Sequence, residues 1–554
     1  MIAYTALLLF LIGVFNSFKV SAGFDKVLSF FTFISLVFIF ANFCDSEVVG
    51  SKEHIFSLAW NSTPGKDIKF DIISNSYNKQ IIIPFFALTL LGIFYNLNFR
   101  YEESRSTFSS LLVFNLATLI IMVTSNNFVQ LLTALFVVDI LSVFIIKDSL
   151  SYRRYIMLNI LADMILFMVL AIINSQVDSL DIRQILRYKQ SGMYIDFLAV
   201  SGFTAVLIKI GMFGFHIGFA DLKNVRLHRL QQILFMSSPL AAIIVLLKFH
   251  ILWQTSEYFI VYLNAACIST MFWSFYGVVF IDSFKSKIIY LQTMFWALFI
   301  ELLRFNGFIW NDMLSRLLVA MYLLISSMYL IYYYHNRLPS AYQMGKLTIR
   351  KTDIQKYIFF MLWLLIIVMS GILTEIYNNS NRYYIWLFAV MFVLALSSVI
   401  QQIYFSEKNI ALKSQDLPNK KAVFTTISGL SLFLLYEIDY MALPVFGFAA
   451  GFLILCRYFS LSANTELPTS WQTKSPFNTI YKSIISAIRH FGQFIRLFID
   501  KLLIEKVIFS VAMFFSQVFI RIFRRIHNKL LSGGFAVFML LILLLWLSFN
   551  KGEF

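Results

Sequence analysis

Charge is what this chain has least of: Asp, Glu, Lys and Arg make up 13% of its 554 residues, about half the roughly 25% usual in soluble globular proteins. With 59% hydrophobic residues and a mean hydropathy of +0.77, that scarcity excludes a water-soluble globular fold and places the chain in a bilayer. Cysteine is scarcer still. Cys44, Cys267 and Cys456 are scattered without metal-ligand spacing, which argues against a disulfide framework and against a zinc or iron-sulfur site. No redox centre, metal or other cofactor is expected. No cleavable signal is expected, because nothing basic precedes the first apolar run and no small-residue cleavage site closes it. The first helix is expected to stay.

Long apolar runs are what the chain has in abundance. Counting those able to cross about 30 Å of hydrocarbon gives about sixteen helices, near 2–16, 27–43, 80–97, 110–124, 128–146, 155–173, 196–213, 230–249, 258–280, 288–303, 313–334, 357–376, 384–405, 422–438, 440–458 and 534–549. The fold class expected is therefore all-α and polytopic. The net charge of +16 follows topology, not nucleic acid. Loops after odd-numbered spans hold about twenty Lys and Arg up to residue 421, roughly twice the number after even ones, so the N-terminus is expected outside and the odd loops in the cytoplasm.

Five stretches divide the chain: 1–43, the N-terminal spans; 44–79, a polar external loop with turn signals at Asn61–Gly65; 80–458, the main membrane core; 459–530, a connection and long helix; and 531–554, the last span. A smaller insertion, Asn174 to Tyr194, reads as a short surface helix. Residues 474–530 carry about ten basic residues with only Asp500 and Glu505 as acids, and Ile488, Phe491, Phe494, Ile495, Phe498 and Ile499 recur at helical spacing. Such a basic amphipathic helix lies on a membrane surface or along partner helices.

Lys209 sits deep in the apolar run 196–213. A cation near the bilayer centre costs roughly 2.5 to 3.5 kcal/mol even on the mildest scale, so it faces a wet cavity or a carboxylate. Asp139 and Asp163 are the candidate carboxylates. Such a set suits proton transfer, because a moving neighbour can switch a buried lysine between its two protonation states. It is equally compatible with a retained structural ion pair. His216 reads as a relay or as a hydrogen-bonding residue at a helix end. Lys248 is a transfer group or a side chain snorkelling to the interface. Glu301, Glu375 and Glu437 read as solvated boundary residues. Gly447 to Gly451 is a small-residue packing pattern.

Several stretches resemble the largest antiporter-like subunit of respiratory complex I, the NADH:quinone oxidoreductase, and its cation/proton antiporter relatives. Lys209-Ile-Gly-Met-Phe-Gly214-Phe215-His216-Ile-Gly218-Phe-Ala220-Asp221 keeps the lysine, the Phe-His pair and the aspartate of that family at its spacing, without its two prolines and tryptophan. Asn98-Phe-Arg-Tyr-Glu-Glu103 and Ser125-Asn-Asn127-Phe-Val-Gln130-Leu resemble the approach to the family's glutamate helix. Phe136 falls where the glutamate would stand, and Asp139 follows one turn later on the same face. Asp163, Lys248, the stretch Lys285 to Tyr290, and Phe519 to Leu547 resemble further family positions, the last being the end of a lateral helix and the final span.

The resemblance implies a multi-pass proton-translocating or transport-assisting subunit of the inner (cytoplasmic) membrane, with Lys209, Asp139, Asp163, His216, Asp221 and Lys248 as proton-transfer candidates. It implies no cofactor of its own, other membrane subunits as partners along the lateral helix, and the lipid bilayer as surroundings, with no nucleic acid. Two family lysines are missing, at Leu323 and Asn381, the latter with Arg382 beside it. A scaffold or assembly subunit that lost transport therefore remains an alternative. So does a subunit of a cation/proton antiporter or of an inorganic-carbon uptake system, and sodium stays open beside the proton.

Overall fold

The computed structural model describes residues 2–17, 22–45, 54–61, 68–98, 105–146, 153–177, 181–187 and 193–336 without Asp282, and single positions between 391 and 399. The expected spans beyond residue 336, the basic helix of 474–530, Glu375, Asn381, Arg382, Glu437, Gly447 to Gly451 and Cys456 lie outside the described residues.

Among the described residues the architecture is a helical bundle with one β-hairpin. The helices are α1 (Ile2–Ser17), α2 (Ala22–Asp45), α3 (Ser76–Asn98), α4 (Arg105–Thr124), α5 (Phe128–Ile146), α6 (Arg153–Val177), α7 (Ile182–Arg187), α8 (Met193–Ile210), α9 (Ile217–Ala220), α10 (Leu227–Met236), α11 (Ser238–Trp253), α12 (Glu257–Phe280), α13 (Phe284–Phe305) and α14 (Asp312–Asn336). Eight stretches of them are long and apolar enough to cross a membrane. Each apolar run expected up to residue 334 lies mostly in helix, although the run 196–213 outlasts α8 and the run 230–249 is interrupted.

Two helices form the centre. Apart from Lys248, His250 and Ile251, α11 is buried throughout, and α13 is buried continuously from Lys287 to Leu303. A helix apolar on every side belongs inside a bundle. The outer helices keep apolar faces bare: Phe31 and Phe38 on α2, Val261 and Phe272 on α12 are more than half exposed. In water such faces would associate. In hydrocarbon they need no partner.

Three local features depart from continuous helices. First, the polar stretch after α2 contains an antiparallel hairpin, β1 (His54–Asn61) and β2 (Ile68–Ser74), which bridges from Ile72 to Ser125 at the α4–α5 connection. Asn127 on that connection bridges to Asp181, and Gln130 Oε1 accepts from the Asp71 N–H at 3.0 Å. Second, the run 230–249 is not one helix: it breaks at Ser237, and Pro239 stands in the first turn of α11, where its missing N–H costs nothing.

Third, the end of α13 is folded inward. Glu301, expected at a solvated boundary, is fully buried and takes Arg304 Nε and Nη2 at 2.9 and 2.8 Å. Helix α13 runs on to Phe305, and Gly307 and Phe308, both at positive φ, return the chain so that Trp310 packs against Phe85 and Phe299. Arg304 supplies the positive charge that a buried carboxylate requires.

Candidate functional site

Each helix around Lys209 presents its polar residues for a local reason. Helix α5 starts cleanly because Asn127 Oδ1 accepts the Val129 N–H at 2.8 Å, an N-terminal cap that uses one of the orphan donors of the first turn. From that start Leu135, Val138, Asp139 and Ser142 share the buried face. On α6, Tyr155, Asn159 and Asp163 follow at intervals of four, one face of a helix. Helix α8 stops one residue after Lys209: the Met212 N–H bonds the Leu207 carbonyl at 3.0 Å and the Gly211 N–H bonds that of Ile208 at 3.1 Å, with Gly211 at φ 73°. This is a Schellman end, which needs a left-handed residue and so takes glycine. It leaves the lysine in the last turn, where the helix dipole favours a cation.

Those three helices bring one lysine to two carboxyl groups. Lys209, with no exposure, lies 2.5 Å from Asp139 Oδ2 and 2.7 Å from Asp163 Oδ1. Asp139 is 8% exposed. Ser238, the first residue of α11, donates to Asn159 Oδ1 at 2.5 Å and to the Lys209 carbonyl at 3.1 Å, so the break at Ser237 and the end of α8 meet at the same point. Tyr155 lies beside Ser142, Ser238 and Asn159. Phe136, one turn before Asp139, has no charge to offer.

The other candidates are placed elsewhere. His216 is buried against Trp273, whose Nε1 donates to His216 Nε2 at 3.1 Å, and against the ring of Tyr290. The imidazole accepts at that nitrogen. Asp221 does not join Lys209: it faces Arg154 Nε at 3.3 Å, both side chains one-third exposed. Exposed pairs of this kind couple by about 0.2–1 kcal/mol, and a double-mutant cycle with Arg154→Ala and Asp221→Ala, followed by thermal unfolding, is expected to return a value in that range that shrinks on adding salt.

Lys248 does not reach outward as a snorkelling lysine does. Its ammonium is half-buried and donates to the Ser125 carbonyl at 2.7 Å, just past the end of α4. Together with the hairpin bridge and the Ile182 N–H on the Asn126 carbonyl at 2.8 Å, it fixes the short α4–α5 connection. Its partner carbonyl was not foreseeable from spacing.

A second polar group, missed in the sequence, lies at the level of Leu323. Leu323 itself is buried, but Tyr322 beside it accepts the Gln232 side-chain amide at its hydroxyl and the Gln231 amide at its carbonyl, and Gln231 also donates to Ser326 Oγ. Gln292 and Trp296 donate to the Leu234 carbonyl at 3.5 and 3.0 Å. Neutral amides and hydroxyls stand where a lysine was expected to be lost without replacement. The Gln231-Gln232 pair on a strongly amphipathic short helix was the available signal.

No protein-family model matches the sequence, and no curated protein matches it. Solved structures do. A chain in the structure of the Mrp complex from Dietzia sp. DQ12-45-1b aligns with all of this chain at 13% identity and a TM-score of 0.62. This chain spans 63% of the length of that one. A chain of respiratory complex I from Thermus thermophilus with bound NADH aligns with 82% of this chain and 99% of its own length, at 12% identity and a TM-score of 0.57. At such identities the likeness is one of fold: this multi-pass membrane protein has the fold of a chain of the Mrp complex and of a chain of respiratory complex I.

Proposed function

We propose that the chain is a proton-translocating or transport-assisting membrane subunit, resembling the largest antiporter-like subunit of NADH:quinone oxidoreductase, with Lys209 as the switched proton carrier. The observation that carries this is a fully buried lysine held by two carboxylates from two other helices at a helix end. Moving Asp139 or Asp163 away leaves the ammonium in apolar surroundings and favours release of its proton; bringing a carboxylate back favours uptake. His216 stands at the next titratable level along the chain, and Lys248 at the α4–α5 connection. The neutral amide and hydroxyl group around Gln231, Gln232 and Tyr322 orders water at the level of Leu323 without contributing a titratable group. Both matched structures are complexes, which supports other membrane subunits as partners, with the basic helix of 474–530 as the proposed contact and the cytoplasmic membrane as the location.

One observation favours the scaffold reading instead: leucine at 323 and asparagine at 381 interrupt the titratable series. Proton flux into vesicles carrying the purified chain and a pH-sensitive dye separates the two. The reading expects slow flux that falls roughly 100-fold in Asp139→Asn, the size of effect associated with a positioned proton-transfer group. Equal flux from both proteins removes Asp139 from the path. No flux from either, with retained capture of membrane subunits, assigns the scaffold role.

A further inference from the structure

We propose that Asp139 and Asp163 hold one shared proton between them, so that the buried triad is neutral while Lys209 remains an ammonium.

The first ground is charge. Two carboxylates and one ammonium leave one negative charge uncompensated inside an apolar bundle, a state that folded proteins avoid by pairing or by protonation. Lys209 and Asp139 are the charged groups acting on Asp163, and Tyr155 is the neutral hydroxyl facing Asp139. The nearby cations are engaged elsewhere: Arg154 with Asp221, Arg229 with the Ile145 carbonyl at 3.0 Å, Lys248 with the Ser125 carbonyl and Lys285 with the Val225 carbonyl. Among the described residues, none of these cations reaches the triad.

The second ground is the count of donors. Asp139 Oδ2 and Asp163 Oδ1 face the Lys209 ammonium at 2.5 and 2.7 Å, but Asp139 Oδ1 and Asp163 Oδ2 are buried and receive no hydrogen bond among the described residues. The two carboxyl groups converge on one atom, Lys209 Nζ. Two ionised carboxylates only accept, so their contact is repulsive. One proton changes its sign, because a carboxylic acid donates to its neighbour and both buried oxygens gain a partner.

At rest the site then stores two protons, one on Lys209 and one on the carboxyl pair. The second leaves as a bare proton transfer: the O–H bond of the acid breaks, an accepting water takes the proton, and both groups become carboxylates. This inference stands on the triad alone and holds equally if the chain proves to be a scaffold.

Infrared spectroscopy of the intact chain in lipid vesicles tests it. At neutral pH in sodium chloride the wild type is expected to show a protonated-carboxyl C=O band that shifts on exchange into D2O and is missing from both Asp163→Asn and Asp139→Asn. Each single variant leaves one carboxylate paired with Lys209, a neutral ion pair, so both are expected to fold; size-exclusion profiles identical to the wild type check this. A wild-type spectrum identical to both variants in that region overturns the proposal. So does a band seen in choline chloride that disappears in sodium chloride, which assigns the compensating charge to a metal cation.

Discussion

Lys209→Ala is expected to destabilise the protein by about 3–5 kcal/mol, the cost of breaking a buried ion pair from one side, and to abolish proton flux. The ammonium is fully buried and touches both Asp139 and Asp163, so its removal leaves two acids facing each other with no cation. A triple variant, Lys209→Met with Asp139→Leu and Asp163→Leu, removes all three charged groups and is expected to recover most of the lost stability, because apolar replacement of a buried ion group is often neutral or stabilising by about 1–4 kcal/mol. Flux is expected to stay absent in the triple variant. Thermal unfolding in detergent measures the first effect and vesicle flux the second. Restored flux in the triple variant would show that the path avoids the triad.

The second large effect concerns the backbone that ends α8. Gly211 and Gly214 both have positive φ, 73° and 91°, so alanine at either pays about 1–2 kcal/mol for the left-handed conformation. Their surroundings differ. A Cβ on Gly214 meets open space, whereas one on Gly211 lands inside the ring of Phe219. Phe219 packs edge-on against Tyr155 with centroids 5.3 Å apart, so it cannot retreat without moving α6. Overpacking of that kind adds about 1–3 kcal/mol. Gly211→Ala is therefore expected to unfold at clearly lower temperature than Gly214→Ala and to lose flux with it. Equal midpoints would show that the α8 end yields easily.

The Lys209 triad was readable because intramembrane charge is costly enough that a lysine and two aspartates in apolar runs must meet something. The partner of Asp221 was not readable. Its family spacing behind Lys209 placed it near the lysine in sequence, but α9 turns away and delivers it to Arg154 on the surface. Glu301 misled for a different reason: its distance from the end of an apolar run said nothing of Arg304, one turn on, which pairs with it in the interior. The hairpin was half visible. Turn residues at Asn61–Gly65 marked an excursion, and the alternation of Ile68, Phe70 and Ile72 on one side of them was the strand signal left unused. The Ser237 break was also written plainly, as Ser-Ser-Pro within an apolar run, but mean hydropathy passes over a single kink.

That break governs the order in which the bundle can be built. Interrupted backbone at membrane depth survives only where protein satisfies it. Here the Lys209 carbonyl takes its hydrogen bond from Ser238, the Met236 carbonyl from Asn115 on α4 at 2.6 Å, and the Leu234 carbonyl from Trp296 on α13 at 3.0 Å. Helix α4 is already synthesised when α10 emerges from the ribosome, but α13 is not. The Leu234 carbonyl is therefore expected to gain its α13 donor only after α10 and α11 have been made. On this order of synthesis, α13 is expected to be the element that completes the break.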